Sequence, residues 1–210
     1  MNFLLYLTES MLHQDRLENA RLNAMKSIEE GGLGLPENNT AMDRAQALGF
    51  DVDNTWYHSS LDDKNEFNQS GQFMGHSGMT GIHLTDNKEM ASRYLDRYGN
   101  FDYKYKPFNK NIIPVYVKVE NVKEYNSPVK SDIGLGMSIP AGFIPDYISK
   151  GHDAAMLHDT ISKHGSVIHL PDGYKKSISG YELIMNKPHH IRSINAAFDP
   201  LQKHKSDLLA

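Results

Sequence analysis

The chain has 210 residues, enough to bury a real core, and its 39% hydrophobic and 23% charged residues are the balance of an ordinary globular protein, which excludes a disordered or collagen-like chain. A formal net charge of −4 provides no long-range basic field, so any nucleic-acid contact must come from a local patch. Cysteine is absent, which removes disulfides, thiolate chemistry and every cysteine-containing zinc site, and fits a reducing cytoplasm.

Residues 1 to about 30 are predicted to be helical, because Leu17, Leu22, Met25 and Ile28 recur at roughly helical intervals and Gly31-Gly32 provides a stop. Within it, the apolar run Phe3-Leu4-Leu5-Tyr6-Leu7 is too short for a signal sequence and lacks a basic flank, so export by that route is not expected. No stretch approaches the roughly 20 apolar residues that span a bilayer, and no membrane association is expected. After Pro36 a short second helix is predicted, capped by Thr40 with Asp43 three residues on and closed by Gly49.

From Thr55 the pattern changes to short strands. Trp56-Tyr57-His58 and Gly81-Ile82-His83-Leu84-Thr85 are aromatic and branched enough to be strands. Asp86 or Asn87 then caps a helix in which Ala91, Tyr94, Leu95 and Tyr98 share one face. Ile112 to Val119 is the clearest strand, stopped by Asn121, with Pro114 suggesting an edge position or a late start. Residues 126 to 150 carry three prolines and several glycines and have no clear pattern, whereas Asp153–Leu157 and Tyr181–Met185 read as short buried strands. Strands interrupted by helices without regular βαβ alternation predict an α+β fold. The expected organisation is a helical lead over residues 1–50 and a main domain over 51–203.

Glu182 has a chemical argument of its own. It opens an apolar strand, where an inward-facing acid needs a reason, although a glutamate on an exposed strand edge is the commoner case. His58 by itself reads as a partly buried strand histidine, and Tyr94 as either core packing or a ligand contact. The histidines His152, His158, His164 and His169 are too loosely spaced for a helical metal motif, and no metal is expected. His189-His190 follows Pro188 in a turn and is expected to cap or pack there. Gly134 and Gly136 have no Lys-Ser or Lys-Thr behind them, which excludes a phosphate loop.

Four segments in order narrow the reading: Trp56-Tyr57-His58-Ser59-Ser60, Gly81 to Asn87, Ala91-Ser92-Arg93-Tyr94 and Tyr181-Glu182-Leu183-Ile184-Met185. Their order resembles the ADP-ribosyltransferase superfamily, in the diphtheria-toxin and poly(ADP-ribose)-polymerase-like branch with its His, Tyr, Glu signature. With Arg44 to Asp51 and Ile191 to Pro200 added, the chain looks most like the ADP-ribosyltransferase domains of phage polyvalent proteins and related bacterial toxins. The resemblance covers roughly residues 36 to 200, and its strength lies in the ordered set rather than in any one block.

What the resemblance implies is a split β-sandwich of two small sheets with flanking helices and an N-terminal helical lead, binding NAD as a substrate between the sheets. His58 would bond the adenosine ribose from the end of the first strand, with the backbone at Ser59 holding the nicotinamide carboxamide and Ser60 beside it. His83 and Tyr94 would flank the nicotinamide. Glu182 would bind the nicotinamide ribose, stabilise the positive charge that builds as the glycosidic bond breaks, and help activate the acceptor. Ser59 stands where relatives usually carry glycine, and His83 where they usually carry a larger aromatic.

The expected activity is mono-ADP-ribosyl transfer to a macromolecule, as in a bacterial or phage toxin of the host cytoplasm, with an antitoxin or packaging into a virion implied by its toxicity. From Arg93 to Lys110 basic residues interleave with Tyr98, Phe101, Tyr103, Tyr105 and Phe108, which makes RNA or single-stranded DNA an acceptor to weigh beside protein; a solvated loop anchored by its aromatics is the plainer reading. Two alternatives stay open: an NAD glycohydrolase using the same site, and a binding or virion-associated module that has lost turnover.

Overall fold

A computed structural model describes residues 3–60, 65–67, 81–99, 111–125, 150–161 and 178–210. Three helices precede or cover a sheet: α1 (Phe3–Met25), α2 (Ala41–Ala47) and α3 (Lys88–Gly99). The strands are β1 (Asp51–Ser60), β2 (Ile82–Thr85), β3 (Asn111–Val117), β4 (Val122–Tyr125), β5 (Ala154–Ile161), β6 (Ile178–Met185) and β7 (Ile191–Ser193). They form one sheet in the order β4-β5-β6-β2-β1-β3-β7, antiparallel except for the β4–β5 pair, and the fold is α+β.

The expected pair of small sheets is therefore replaced by one hydrogen-bonded sheet. The joint in its middle is slender, however: β1 and β2 share only the partner pair Tyr57 and Thr85. On their outer sides both strands are paired much further, β1 with β3 as far as Ser60 and β2 with β6 along its whole length. The ladder between them thus stops where His58, Ser59 and Ser60 begin.

One face of the sheet carries the main apolar core, in which Ile82 and Leu84 of β2, Leu183 and Met185 of β6, and Val115 and Val117 of β3 meet Phe67, Ile191 and Leu208. On the other face lies α3, which buries Met90, Ala91 and Leu95, while the Thr85 hydroxyl points to Met90 Sδ at 3.3 Å. Burial on both faces explains why Glu182, Leu183, Ile184 and Met185 are buried in unbroken succession, instead of alternating as in a half-exposed strand. Asn87 caps α3 through its side-chain oxygen, which accepts from the Glu89 and Met90 amides.

The N-terminal elements follow from local chemistry. In α2, Thr40 and Asp43 form a reciprocal capping box, and the helix ends on Gly49 at φ 85° with the Gly49 amide on Gln46 O and the Phe50 amide on Ala45 O. The first helix departs from its expected stripe. It ends at Met25, where Ser27 and Glu30 exchange hydrogen bonds and start a turn, and Leu22, Met25 and Ile28 are exposed. Ala20 and Ala24 are buried instead: the Pro200–Gln202 turn packs on this helix, with Asn23 tied to Asp199 just before it, and the amides of Leu33 and Leu35 donate to Ala24 O.

Pro114 is a second departure, since β3 begins before it and lies between β1 and β7. The proline is tolerated because it lies where the β7 ladder ends: past the last partner pair, Val115 with Ser193, the Ile194 amide donates to Pro114 O, and no bond from the proline nitrogen is needed in return. The packing also crosses both boundaries expected from the sequence. Arg44 of α2, 2% exposed, donates to Ala197 O and to the backbone and side-chain oxygens of Asn39, while Ala45 and Phe50 pack on Phe198. Beyond residue 203, the amides of Ser193, Ala197 and Phe198 donate to Leu208, Leu209 and Ala210.

Candidate active site

Of the three residues singled out on strands, His83 and Glu182 come together on one face of the sheet, and His58 reaches the β2 backbone between them from the other, where the β1–β2 ladder stops. His58 lies one residue past the last partner pair. Its Nδ1 is 3.0 Å from His83 O, so the imidazole bonds across to β2 at the residue where a backbone ladder would have continued. A carbonyl only accepts, so Nδ1 carries the hydrogen, and in the neutral ring Nε2 has acceptor character. The Nδ1 hydrogen is thus spent on β2 and not on the ribose that the resemblance assigns to this ring. Phe67 packs edge-on against the ring at a centroid distance of 4.7 Å.

Register places the second pair. Thr85 is opposite Glu182 and His83 opposite Ile184, so His83 and Glu182 lie diagonally on one face of the sheet, the face covered by α3. His83 Nδ1 is 2.7 Å from Glu182 Oε1, with side-chain exposures of 11% and 5%. The expected role of His83 was to stack; the structure gives its ring a carboxylate partner. Among the described residues Glu182 Oε2 has no hydrogen-bond partner, which leaves one oxygen of a buried carboxylate available to a ligand.

By the same alternation His58 projects to the face of Ile113 and Phe67, opposite to His83 and Glu182. The link between them is the β2 backbone at His83, which accepts from His58 on one side and carries the ring that meets Glu182 on the other.

Ser59, at the position where the resemblance expects glycine, has its hydroxyl 2.6 Å from Ala91 O and so fastens β1 to α3, the helix that carries Tyr94. Ser60 is buried at the end of β1. Tyr94 lies on α3, and its side chain is outside the described residues. Of the basic and aromatic stretch from Arg93 to Lys110, residues 100–110 also lie outside them, as do residues 126–149, His164 and His169.

One contributor is not evident from sequence. Asp86, expected only as a helix cap, turns its Oδ1 to the Tyr181 amide at 2.8 Å and so clamps β6 next to Glu182. Gly180 makes this possible, because a Cβ there would stand 2.6 Å from that oxygen. A glycine directly before an expected strand is the visible signal, though nothing local names Asp86 as its partner.

Elsewhere, His190 Nδ1 bonds Lys118 O, and its ring lies 4.5 Å from that of His189, so the His-His turn packs as expected. Burial, reinforced by His189, Lys187 and Lys118, pushes His190 down to about 4. Burial pushes Arg192 down to about 10, with its guanidinium on the carbonyls of Ile191, Gln202 and Lys205. Among the described residues no group of three His, Asp or Glu side chains is gathered as for a metal, and no helix is long and apolar enough to cross a membrane. No family model, curated protein or solved structure matches the chain.

Proposed function

We propose that this chain is a mono-ADP-ribosyltransferase that cleaves NAD, releases nicotinamide and passes ADP-ribose to a macromolecular acceptor. The observation that carries the reading is the buried carboxylate of Glu182, held by His83 beside the interrupted β1–β2 ladder at which His58 also sits. Burial of an acid on an apolar strand is costly, and a catalytic use for its charge accounts for it.

In this reading a ribose hydroxyl of NAD donates to Glu182 Oε2, while His58, from the other face of the sheet, holds the β2 backbone at His83. As the bond from the ribose anomeric carbon to the nicotinamide nitrogen breaks, its electron pair leaves with nicotinamide. The positive charge left on the anomeric carbon and ring oxygen is met by the Glu182 carboxylate, whose placement before the reaction favours the transition state over the ground state. Tyr94 on α3 flanks the nicotinamide, and the Ser59 tether fixes that helix against β1. NAD is the substrate and the scheme uses no metal.

Incubation with NAD labelled in its adenylate half, beside RNA, single-stranded DNA and a protein panel, tests the reading. Label on one class of acceptor and stoichiometric nicotinamide, both lost in Glu182→Ala, is the expected result. Free ADP-ribose formed at full rate without acceptor would reassign the chain as a glycohydrolase. NAD bound without nicotinamide release would make it a binding module.

A further inference from the structure

We infer that His83 is a positioning residue for Glu182 and not a stacking partner of nicotinamide; this rests on the NAD-cleaving reading above and refines it. A glutamate has three side-chain torsions, and a carboxylate that must meet charge developing on a sugar ring gains from having them settled before substrate arrives. The structure settles them from both ends. At the carboxylate, His83 Nδ1 holds Oε1 at 2.7 Å, and since an ionised carboxylate only accepts, that nitrogen is the donor. At the backbone, Glu182 is paired on both sides, with Thr85 of β2 and with Leu157 of β5.

His83 is itself fixed twice over, since its strand is paired with β6 and its own carbonyl receives the His58 ring. With its side chain 11% exposed, the imidazole has little face left for a flat ligand to cover. What it does offer is an N–H at one place, leaving Oε2 of Glu182 for the ribose.

His83→Phe and His83→Asn separate the two roles, because phenylalanine keeps a flat ring without a donor and asparagine keeps a donor near the Nδ1 position without a ring. Positioning predicts that His83→Phe lowers kcat for nicotinamide release by about 100-fold, the cost of a misplaced catalytic group, with KM for NAD changed less than about 3-fold. It also predicts that His83→Asn recovers kcat to within about 5-fold of the parent chain. Stacking predicts the reverse, and a His83→Phe variant as active as the parent chain, or a His83→Asn variant impaired in KM, overturns the inference.

Nitrogen NMR of the imidazoles in the unsubstituted protein provides a readout that needs neither variants nor turnover. His83 is expected as the Nδ1–H tautomer, and its Nδ1 resonance is expected to move in Glu182→Gln. An Nε2–H tautomer for His83 would show that Nδ1 does not donate to the carboxylate and would also overturn the inference. If the unsubstituted protein shows the expected tautomer yet neither binds nor cleaves NAD, the proposed reaction fails, and the positioning role in it falls too, while the pair itself stands.

Discussion

Replacing Glu182 by glutamine and, separately, by alanine is expected to pull stability and activity apart. Glutamine is nearly isosteric and presents a carbonyl oxygen where Oε1 now accepts from His83 at 2.7 Å, so the hydrogen bond survives while a buried charge disappears. Desolvating one carboxylate costs several kcal/mol, against which a single imidazole bond is modest compensation, and Glu182→Gln should unfold at the same or a higher denaturant concentration than the parent chain. Alanine removes the partner altogether and leaves the His83 Nδ1–H enclosed, which costs about 1–3 kcal/mol for the unmet donor.

Turnover should ignore that difference. Losing a fixed charge aimed at the developing cation is worth roughly 3–4 kcal/mol, or 100- to 1,000-fold in nicotinamide release, and both variants should show it. Urea melts read by tryptophan fluorescence and circular dichroism, followed by initial rates of nicotinamide release at saturating NAD, supply both numbers. A glutamine variant that turns over within a few-fold of the parent would refute the electrostatic role. One that is less stable than the alanine variant would refute the account of the pair.

Other consequences are structural. Thr40→Ala should cost about 1 kcal/mol by removing half of the α2 capping box, with Thr40→Ser nearly neutral in the same urea melts. Ending the chain at Lys203 removes the carbonyls that receive the Ser193, Ala197 and Phe198 amides and the core side chain of Leu208, a loss of about 4 kcal/mol or more; a melting temperature within a couple of degrees of the full chain would contradict it. His190 gives a pH dependence with a definite sign. Its folded pKa of about 4 lies below the ordinary value of 6.5, so the neutral ring stabilises the fold above pH 6.5, and that contribution drains away as pH falls toward 4. Full conversion of the shift gives roughly 3 kcal/mol, and about half that remains for a half-buried ring. His190→Asn, which keeps a donor for Lys118 O, should show a shallower loss of stability between pH 6.5 and 4, and parallel curves for the two proteins would exclude His190 as the source.

Features written in consecutive residues are legible in the sequence alone. The Thr40–Asp43 box, the left-handed Gly49 and the Asn87 cap are bonds between neighbours a few positions apart, and their residue types specify them. The strands around His58, His83, Val115 and Leu183 are likewise visible, because branched and aromatic runs have few other conformations in which to be buried. Sequence and structure part company where a distant surface decides. Leu22 and Met25 have the spacing of an inner face of α1, but Ala20 and Ala24 are the residues that the distant packing buries, and Pro114 sits in an inner strand because the β7 ladder ends at it, its oxygen accepting from the Ile194 amide while its nitrogen is asked for no bond.

The sequence by itself thus determined the elements on which His58, His83 and Glu182 stand. Only the tertiary structure decided what they do to one another. His83 and Glu182 are 99 positions apart, and their contact depends on the register of β2 against β6, a quantity set by which apolar residues face the core. A shift of one residue would turn Glu182 to the opposite face and leave His83 without it.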